Sequence, residues 1–129
     1  MPALPVNEMK VFLPAKDYRL SKAFYTDLGF DLAWEAPEQN MAKFAIGSQM
    51  FMLHDWYEKN VAELMYMHIL VPDVGQWWEH VLNQKLADRY PIKTEPPDDR
   101  EWGIRDFVLF DPSGVLWRIG QVIDSSSSE

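Results

Sequence analysis

Short stretches in which apolar and polar residues alternate occur throughout the chain, and two longer stretches repeat apolar residues at every third or fourth position. Alternation is typical of strands that bury one face, whereas the wider spacing is typical of amphipathic helices. The predicted strands are residues 9–15, 30–35, 41–46, 50–55, 64–71, 90–93, 105–110 and 115–121. They fall into two groups of four, and each group has one predicted helix after its first strand.

Each predicted helix follows an aspartate that can cap its first turn. Asp17 precedes a helix in which apolar residues recur four apart and which ends at Gly29. Asp73 precedes a second helix at residues 74–85. The side chains expected on the inner side of this second helix are Val74, Trp78, Val81 and Leu82. The chain therefore contains the unit βαβββ twice, which predicts an α+β fold.

The length of the chain indicates one domain. Residues 1–124 are predicted to form it, with modules at about residues 8–57 and 62–122. The serine-rich residues 125–129 are predicted to be a disordered tail.

The two units differ in one place. From the helix cap to the turn glycine, the first unit spans 30 residues and the second spans 41. The extra length falls in a predicted proline-containing loop at residues 94–103, which ends in Trp102-Gly103. An insertion in one of two repeated units is a candidate for function. The hairpin that follows turns at Asp111-Pro112-Ser113-Gly114, a sequence that favours a type I turn.

The composition argues against several classes of protein. The formal net charge is −8 and no basic stripe is present, so nucleic-acid binding is not expected. No apolar run approaches the roughly 20 residues of a membrane span, and neither a membrane span nor a signal peptide is expected. Cysteine is absent, so a cytoplasmic location is expected. Six Trp, five Tyr and seven Phe favour stacking against an aromatic ligand.

Three parts of the sequence resemble the vicinal-oxygen-chelate superfamily, which includes glyoxalase I, extradiol dioxygenases, and fosfomycin- and bleomycin-resistance proteins. Residues 17–30, DYRLSKAFYTDLGF, resemble the first helix and strand of these proteins. Residues 71–74, VPDV, are similar to the entry to their second helix. Residues 102–114 are similar to their last hairpin through WG followed by DFxLxDPxG. The resemblance covers about residues 8–122.

This resemblance implies two βαβββ modules that form a cupped, incompletely closed mixed sheet. Helices would cover the convex face, a ligand would lie on the concave side, and the protein would usually be a dimer.

The metal-dependent members of the superfamily hold their ion with His, Gln or Glu on the concave side. Matching positions along the chain places Lys10, Met52, Tyr66 and Arg118 at those four positions. Two cations and a thioether are unsuited to Mg²⁺, Mn²⁺ or Fe²⁺. We therefore expect no metal, no other cofactor and no catalytic residue.

A displaced metal site is an alternative. His54 and His68 each lie two residues beyond a family ligand position, so strand alternation puts both on the concave side. Asp106 could complete a set of two histidines and one carboxylate. Such a site would support a glyoxalase-like metal-dependent lyase or dioxygenase. The simpler interpretation makes both histidines hydrogen-bonded pocket residues.

Among relatives without the metal, the bleomycin-resistance type resembles this chain most. Those proteins sequester an aromatic cationic antibiotic at a dimer interface and exchange an N-terminal arm, which residues 1–7 would suit. The resemblance implies a small-molecule-binding homodimer that holds an aromatic or amphipathic ligand. A binding or regulatory module without a drug-like ligand is a further alternative. The predicted ligand-binding residues are Lys10, Phe12, Met41, Lys43, Met52, His54, Tyr66, His68, Trp102, Asp106 and Arg118.

The charge of the ligand stays open at this point. Lys10, Lys43 and Arg118 favour an anion, although Asp106 would neutralise part of their charge. A cation is favoured by the acidic residues around Trp102, which are Glu95, Asp98, Asp99, Glu101 and Asp106.

Overall fold

The computed structural model describes residues 3–123 and contains two four-stranded mixed sheets, which confirms the predicted α+β class. Sheet A has the strand order β1-β4-β3-β2, and sheet B has the order β5-β8-β7-β6. In sheet A, β1 pairs in parallel with β4, and in sheet B, β5 pairs in parallel with β8. The other pairs are antiparallel. The strands are β1 Phe12–Pro14, β2 Asp31–Ala36, β3 Met41–Ile46, β4 Gln49–His54, β5 Tyr66–Leu70, β6 Lys93–Asp99, β7 Ile104–Phe110 and β8 Leu116–Val122.

Four α-helices accompany the sheets. They are α1 Tyr18–Leu28, α2 Lys59–Ala62, α3 Val74–Asn83 and α4 Leu86–Arg89, and a 3₁₀ turn covers Pro37–Gln39. The two predicted helix caps are confirmed, because Asp17 accepts from the Leu20 amide at 3.2 Å and Asp73 accepts from the Gln76 amide at 3.2 Å. None of the helices within residues 3–123 has the length and apolar character needed to span a bilayer.

The helices pack on one face of each sheet, which we call the inner face, and both inner faces share a single core. Phe51 of β4 and Trp117 of β8 lie with their rings 5.6 Å apart, although they belong to different sheets. Tyr25 of α1 packs against both, with ring-centre distances of 4.9 Å to Phe51 and 5.8 Å to Trp117. The opposite faces, which we call the outer faces, therefore turn away from the common core. They correspond to the predicted concave side.

A buried hydrogen-bond network also joins the two modules. The Tyr25 hydroxyl donates to the Asp111 carboxylate and accepts from the Trp117 indole at 2.9 Å. Burial raises the pKa of Tyr25 and also raises the pKa of Asp111. Asp111 further accepts from the Ser113 and Val115 amides, at 2.8 and 2.9 Å. The predicted turn is confirmed by the bond from the Gly114 amide to the Asp111 carbonyl, with Gly114 at a φ of 93°.

The predicted loop at residues 94–103 is wrong for residues 94–99 and is confirmed for residues 100–103. Residues 93–99 form β6, whereas residues 90–92, predicted as a strand, lie outside it. Because β6 is an edge strand, Pro96 and Pro97 need not donate to a second neighbour. The register with β7 shifts between Glu95 and Asp98, which accommodates both prolines in a bulge.

Smaller differences concern the ends of elements and two side chains. The first strand is shorter than predicted, and the short helices α2 and α4 were not predicted. Leu82 is 55% exposed rather than on the inner side of α3, which ends one residue later. His80 is partly buried and its ring nitrogen lies 2.8 Å from the Asp27 carbonyl, so it joins α3 to α1. The predicted tail at residues 125–129 lies outside the described residues.

Candidate ligand-binding site

Sheet A presents one group of predicted site residues on its outer face. Met41 and Lys43 of β3 lie opposite His54 and Met52 of β4, and Phe12 of β1 lies opposite Met52. Side chains at alternate positions of a strand share a face, so these five lie together. Their neighbours in β3 and β4, such as Ala42 and Leu53, are buried against the helices. Lys10, two residues before β1, is the sixth predicted site residue of this group.

A cavity of about 430 Å³ lies on this outer face. Its lining residues are Lys10, Ala33, Trp34, Met41, Lys43 and Met52. Four of these six belong to the predicted site. Trp34 of β2 is 49% exposed and is the only aromatic residue of the lining. A register shift in β2 brings it opposite Lys43. The cavity falls within the range of roughly 300–1,000 Å³ that small-molecule sites occupy.

The irregular N-terminal arm continues past residue 7 in the structure, and its Glu8 contacts both lysines of this cavity. Its carboxylate accepts from the ammonium groups of Lys10 and Lys43, and the second bond measures 2.7 Å. The bond from Lys10 makes the largest contribution, and with the bond from Lys43 it holds the pKa of the Glu8 carboxyl below its usual range. This contact was not predicted, because Glu8 lies in an irregular arm and Lys43 is 35 residues away.

His54 lies at the end of β4 between two aromatic rings. The Phe12 ring meets it edge-on at 5.4 Å, and the Trp56 ring lies 5.9 Å away. Burial lowers the pKa of His54 from its usual value of 6.5. At neutral pH the imidazole is therefore uncharged and can serve as a hydrogen-bond donor or acceptor at the rim of the face.

Sheet B presents the second group on its own outer face. His68 of β5 lies opposite Arg118 of β8, and the Tyr66 ring lies 6.5 Å from that of His68. Asp106 of β7 is buried beneath them and accepts from Arg118 at 3.1 Å and from Arg100 at 2.9 Å. Arg100 was not among the predicted site residues, since it lies in the turn after the proline-containing segment. Asp106 thus neutralises part of the charge of Arg118, as expected.

Gly120 of β8 makes room for this ion cluster. It lies directly opposite Asp106, and a Cβ atom at this position would come within 3.1 Å of the Asp106 Cβ and 2.8 Å of the Ile104 side chain. A larger residue would therefore displace the strand that carries the carboxylate.

Trp102 lies apart from both groups, in the tight turn between β6 and β7. Its side chain is 55% exposed, so it does not act as a lid over the core. The acidic residues near it are partly neutralised, because Asp99 pairs with Arg105 at 2.6 Å and Asp106 pairs with two arginines. This pairing weakens the argument for a cationic ligand at the turn.

The eleven predicted residues thus occupy three places rather than one. Six lie on sheet A, four on sheet B and one in the β6–β7 turn. Within residues 3–123, no side-chain hydrogen bond, ion pair or ring contact links the two outer faces. A single chain therefore does not bring the predicted residues together in one place.

The four positions that correspond to metal ligands do not suit a divalent ion. Lys10 and Met52 line the cavity of sheet A, and the Lys10 ammonium is held by Glu8. Arg118 keeps its guanidinium against the buried Asp106. In the described part of the chain, no three His, Asp or Glu side chains are grouped so that they could hold a metal. In particular, His54, His68 and Asp106 do not form such a group within one chain.

The Glyoxalase/Bleomycin resistance protein/Dioxygenase superfamily matches residues 9–119 of this sequence, so the chain belongs to that superfamily. No curated protein matches the chain.

Solved structures show the same fold. A bleomycin-binding protein complexed with bleomycin superposes with a TM-score of 0.72 at 21% identity, over 90% of this chain and 98% of that one. The antibiotic-binding protein TnmS3 from Streptomyces sp. CB03234 gives 0.71 at 20%, over 93% and 99%. A lactoylglutathione lyase from Agrobacterium tumefaciens gives 0.66 at 20%, over 92% and 96%. At these identities, the similarity establishes the fold and leaves the ligand to be argued from the site.

Proposed function

We propose that the protein binds and sequesters an aromatic or amphipathic small molecule without a metal, as a cytoplasmic protein of the bleomycin-resistance type. The observation that carries this proposal is the cavity on sheet A, where Trp34, Met41 and Met52 offer apolar surface. The cations Lys10 and Arg118 take the place of metal ligands. Solved structures of the same fold that bind bleomycin or another antibiotic support the proposal. The lack of cysteine fits the cytoplasm.

Binding can be measured by quenching of tryptophan fluorescence. The probes are bleomycin and three naphthalene derivatives that carry a carboxylate, a hydroxymethyl or an aminomethyl group. We expect at least one probe to bind saturably in the presence of EDTA, because the stacking surface of Trp34 needs no ion. Trp34→Ala should weaken binding about tenfold, since stacking of two aromatic rings contributes about 0.5–1.5 kcal/mol beyond the area that it buries. Trp102→Ala tests whether the exposed turn also contacts the ligand.

The control for these variants is Leu82→Ala, which changes an exposed side chain on α3, away from the cavity. Silence of all four probes would contradict the proposal and favour a regulatory module. Metal analysis of the purified protein distinguishes the proposed metal-free binding from the alternative, a metal-dependent enzyme. A stoichiometric divalent ion, lost in His54→Ala or His68→Ala, would favour the metal-dependent lyase or dioxygenase.

We further propose that the protein is a homodimer in which the outer face of sheet A lies against the outer face of sheet B of the partner. This arrangement would join the two groups of predicted residues into one site. Large apolar side chains on both faces support it, since Phe12 is 43% exposed and Tyr66 is 56% exposed. The arm supports an exchange between protomers, because Leu4 and Val6 are almost fully exposed on their own chain.

Sedimentation velocity tests the dimer directly. We expect a dimer at micromolar concentration, and deletion of residues 2–7 should raise its dissociation constant at least about tenfold, the equivalent of 1.4 kcal/mol. The deletion retains Glu8 and the cavity. Leu82→Ala should leave the dissociation constant unchanged. A full-length chain that stays monomeric, or a dimer that is equally tight without the arm, would contradict the exchange.

A further inference from the structure

Glu8 lies outside the sheet and bonds to the two lysines that line the sheet A cavity. It is the only residue of the arm, among residues 3–9, whose side chain bonds to the cavity lining. The backbone of this segment is attached mainly at Val11, beyond Glu8, where the Val11 carbonyl accepts from the Met52 amide at 2.8 Å. The arm is exposed throughout residues 3–10. Its carboxylate can therefore leave the lysines without disrupting a strand.

The geometry points to an aromatic or apolar monocarboxylic acid as the ligand of this cavity, with its carboxylate replacing that of Glu8 on Lys10 and Lys43. This inference rests on the proposed function and specifies its ligand. Two ammonium groups face one carboxylate, so the cavity keeps a net positive charge while the arm is in place and a larger one when the arm leaves. A cationic ligand would meet both lysines at close range, which is unfavourable.

The residues of the cavity other than the two lysines favour an aromatic or apolar group on the ligand. Trp34 offers a half-exposed ring face, and the thioethers of Met41 and Met52 contact aromatic rings favourably. The volume of about 430 Å³ lies in the lower part of the range for ligand sites, which suits an acid of one or two rings. In this arrangement Glu8 mimics the ligand and competes with it, so the arm lowers the affinity for weakly binding acids.

Isothermal titration with three matched probes tests the inference on the full-length protein. We expect 2-naphthoate to bind about tenfold more tightly than 2-naphthylmethanol, and 2-naphthylmethylammonium to bind most weakly, since only the carboxylate makes charge-assisted bonds. Glu8→Gln should raise the affinity for naphthoate about three- to fivefold by removing the competitor, and should leave the alcohol unchanged. Lys43→Gln should abolish the preference for the acid.

Glu79→Gln is the matched control, because it makes the same change in net charge at an exposed position of α3. It should bind all three probes like the unmodified protein. Methyl-labelled methionine spectra locate the probe, and the signals of Met41 and Met52 should shift. Equal affinity for the acid and the ammonium, or an unchanged naphthoate affinity in Glu8→Gln, would overturn the inference while leaving the proposed function intact. Failure of all three naphthalene probes, with saturable binding of bleomycin, would also overturn the inference alone, whereas silence of bleomycin as well would overturn both.

Discussion

Replacement of Asp111 by alanine is expected to lower the free energy of unfolding by about 3–5 kcal/mol. The side chain is 2% exposed and accepts three hydrogen bonds, from the Tyr25 hydroxyl and from the Ser113 and Val115 amides. Alanine would leave all three donors buried without this acceptor, and each such loss costs about 1–3 kcal/mol. The network joins α1 of the first module to the hairpin of the second. Urea denaturation followed by circular dichroism measures the change.

Asp111→Asn should cost less, about 1–2 kcal/mol, because the amide oxygen can still accept from the two backbone donors. Asp31→Ala is the control, since Asp31 is exposed on β2 and its removal should change stability by less than about 0.5 kcal/mol. A stability of Asp111→Ala within about 1 kcal/mol of the unmodified protein would mean that the two modules are held together by apolar packing alone.

Features of the chain that depend on neighbours in sequence were predicted well. Both helix caps, the four-strand grouping and the turn before Gly114 follow from short local patterns, and the structure confirms them. Strand alternation also placed Met41 and Lys43 on the same face, because a period of two is a property of the backbone. The order of the elements, βαβββ twice, also followed from these local patterns.

The errors share a physical cause, which is dependence on distant parts of the chain. Pro96 and Pro97 indicated a loop, and only the position of β6 at the edge of sheet B makes them compatible with a strand. Sequence alone likewise did not indicate that Glu8 would reach Lys43, or that Arg100 would share the Asp106 carboxylate. Such contacts are set by tertiary packing, so neither propensity nor periodicity carries a signal for them.

The division of the site between two faces has the same origin. Alternation predicts which side chains share a face of one sheet but does not specify how two sheets are placed. In this chain the large aromatic residues Phe51 and Trp117 bring the two inner faces together. The outer faces are then free to meet those of another protomer, which is the basis of the proposed dimer.

Asp106→Ala is expected to have the second large effect, because the carboxylate is 1% exposed and holds two arginines. Its loss would leave Arg100 and Arg118 partly buried without their counter-charge, and we expect a cost of about 3 kcal/mol. The cluster also bears on the proposed function, since Asp106 holds the guanidinium of Arg118 at a position that the family resemblance assigns to a metal ligand. Chemical denaturation in urea measures the cost.

A double variant separates the lost charge pair from a general loss of packing. If the unpaired cation of Arg118 is the main cost, then Asp106→Ala combined with Arg118→Met should be about 1 kcal/mol more stable than Asp106→Ala alone. Asp98→Ala serves as the control, because Asp98 lies opposite Asp106 on β6 and is exposed, so its removal should change stability by less than about 0.5 kcal/mol. Equal stability of the single and double variants would show that Asp106 contributes through packing against Gly120 rather than through its charge.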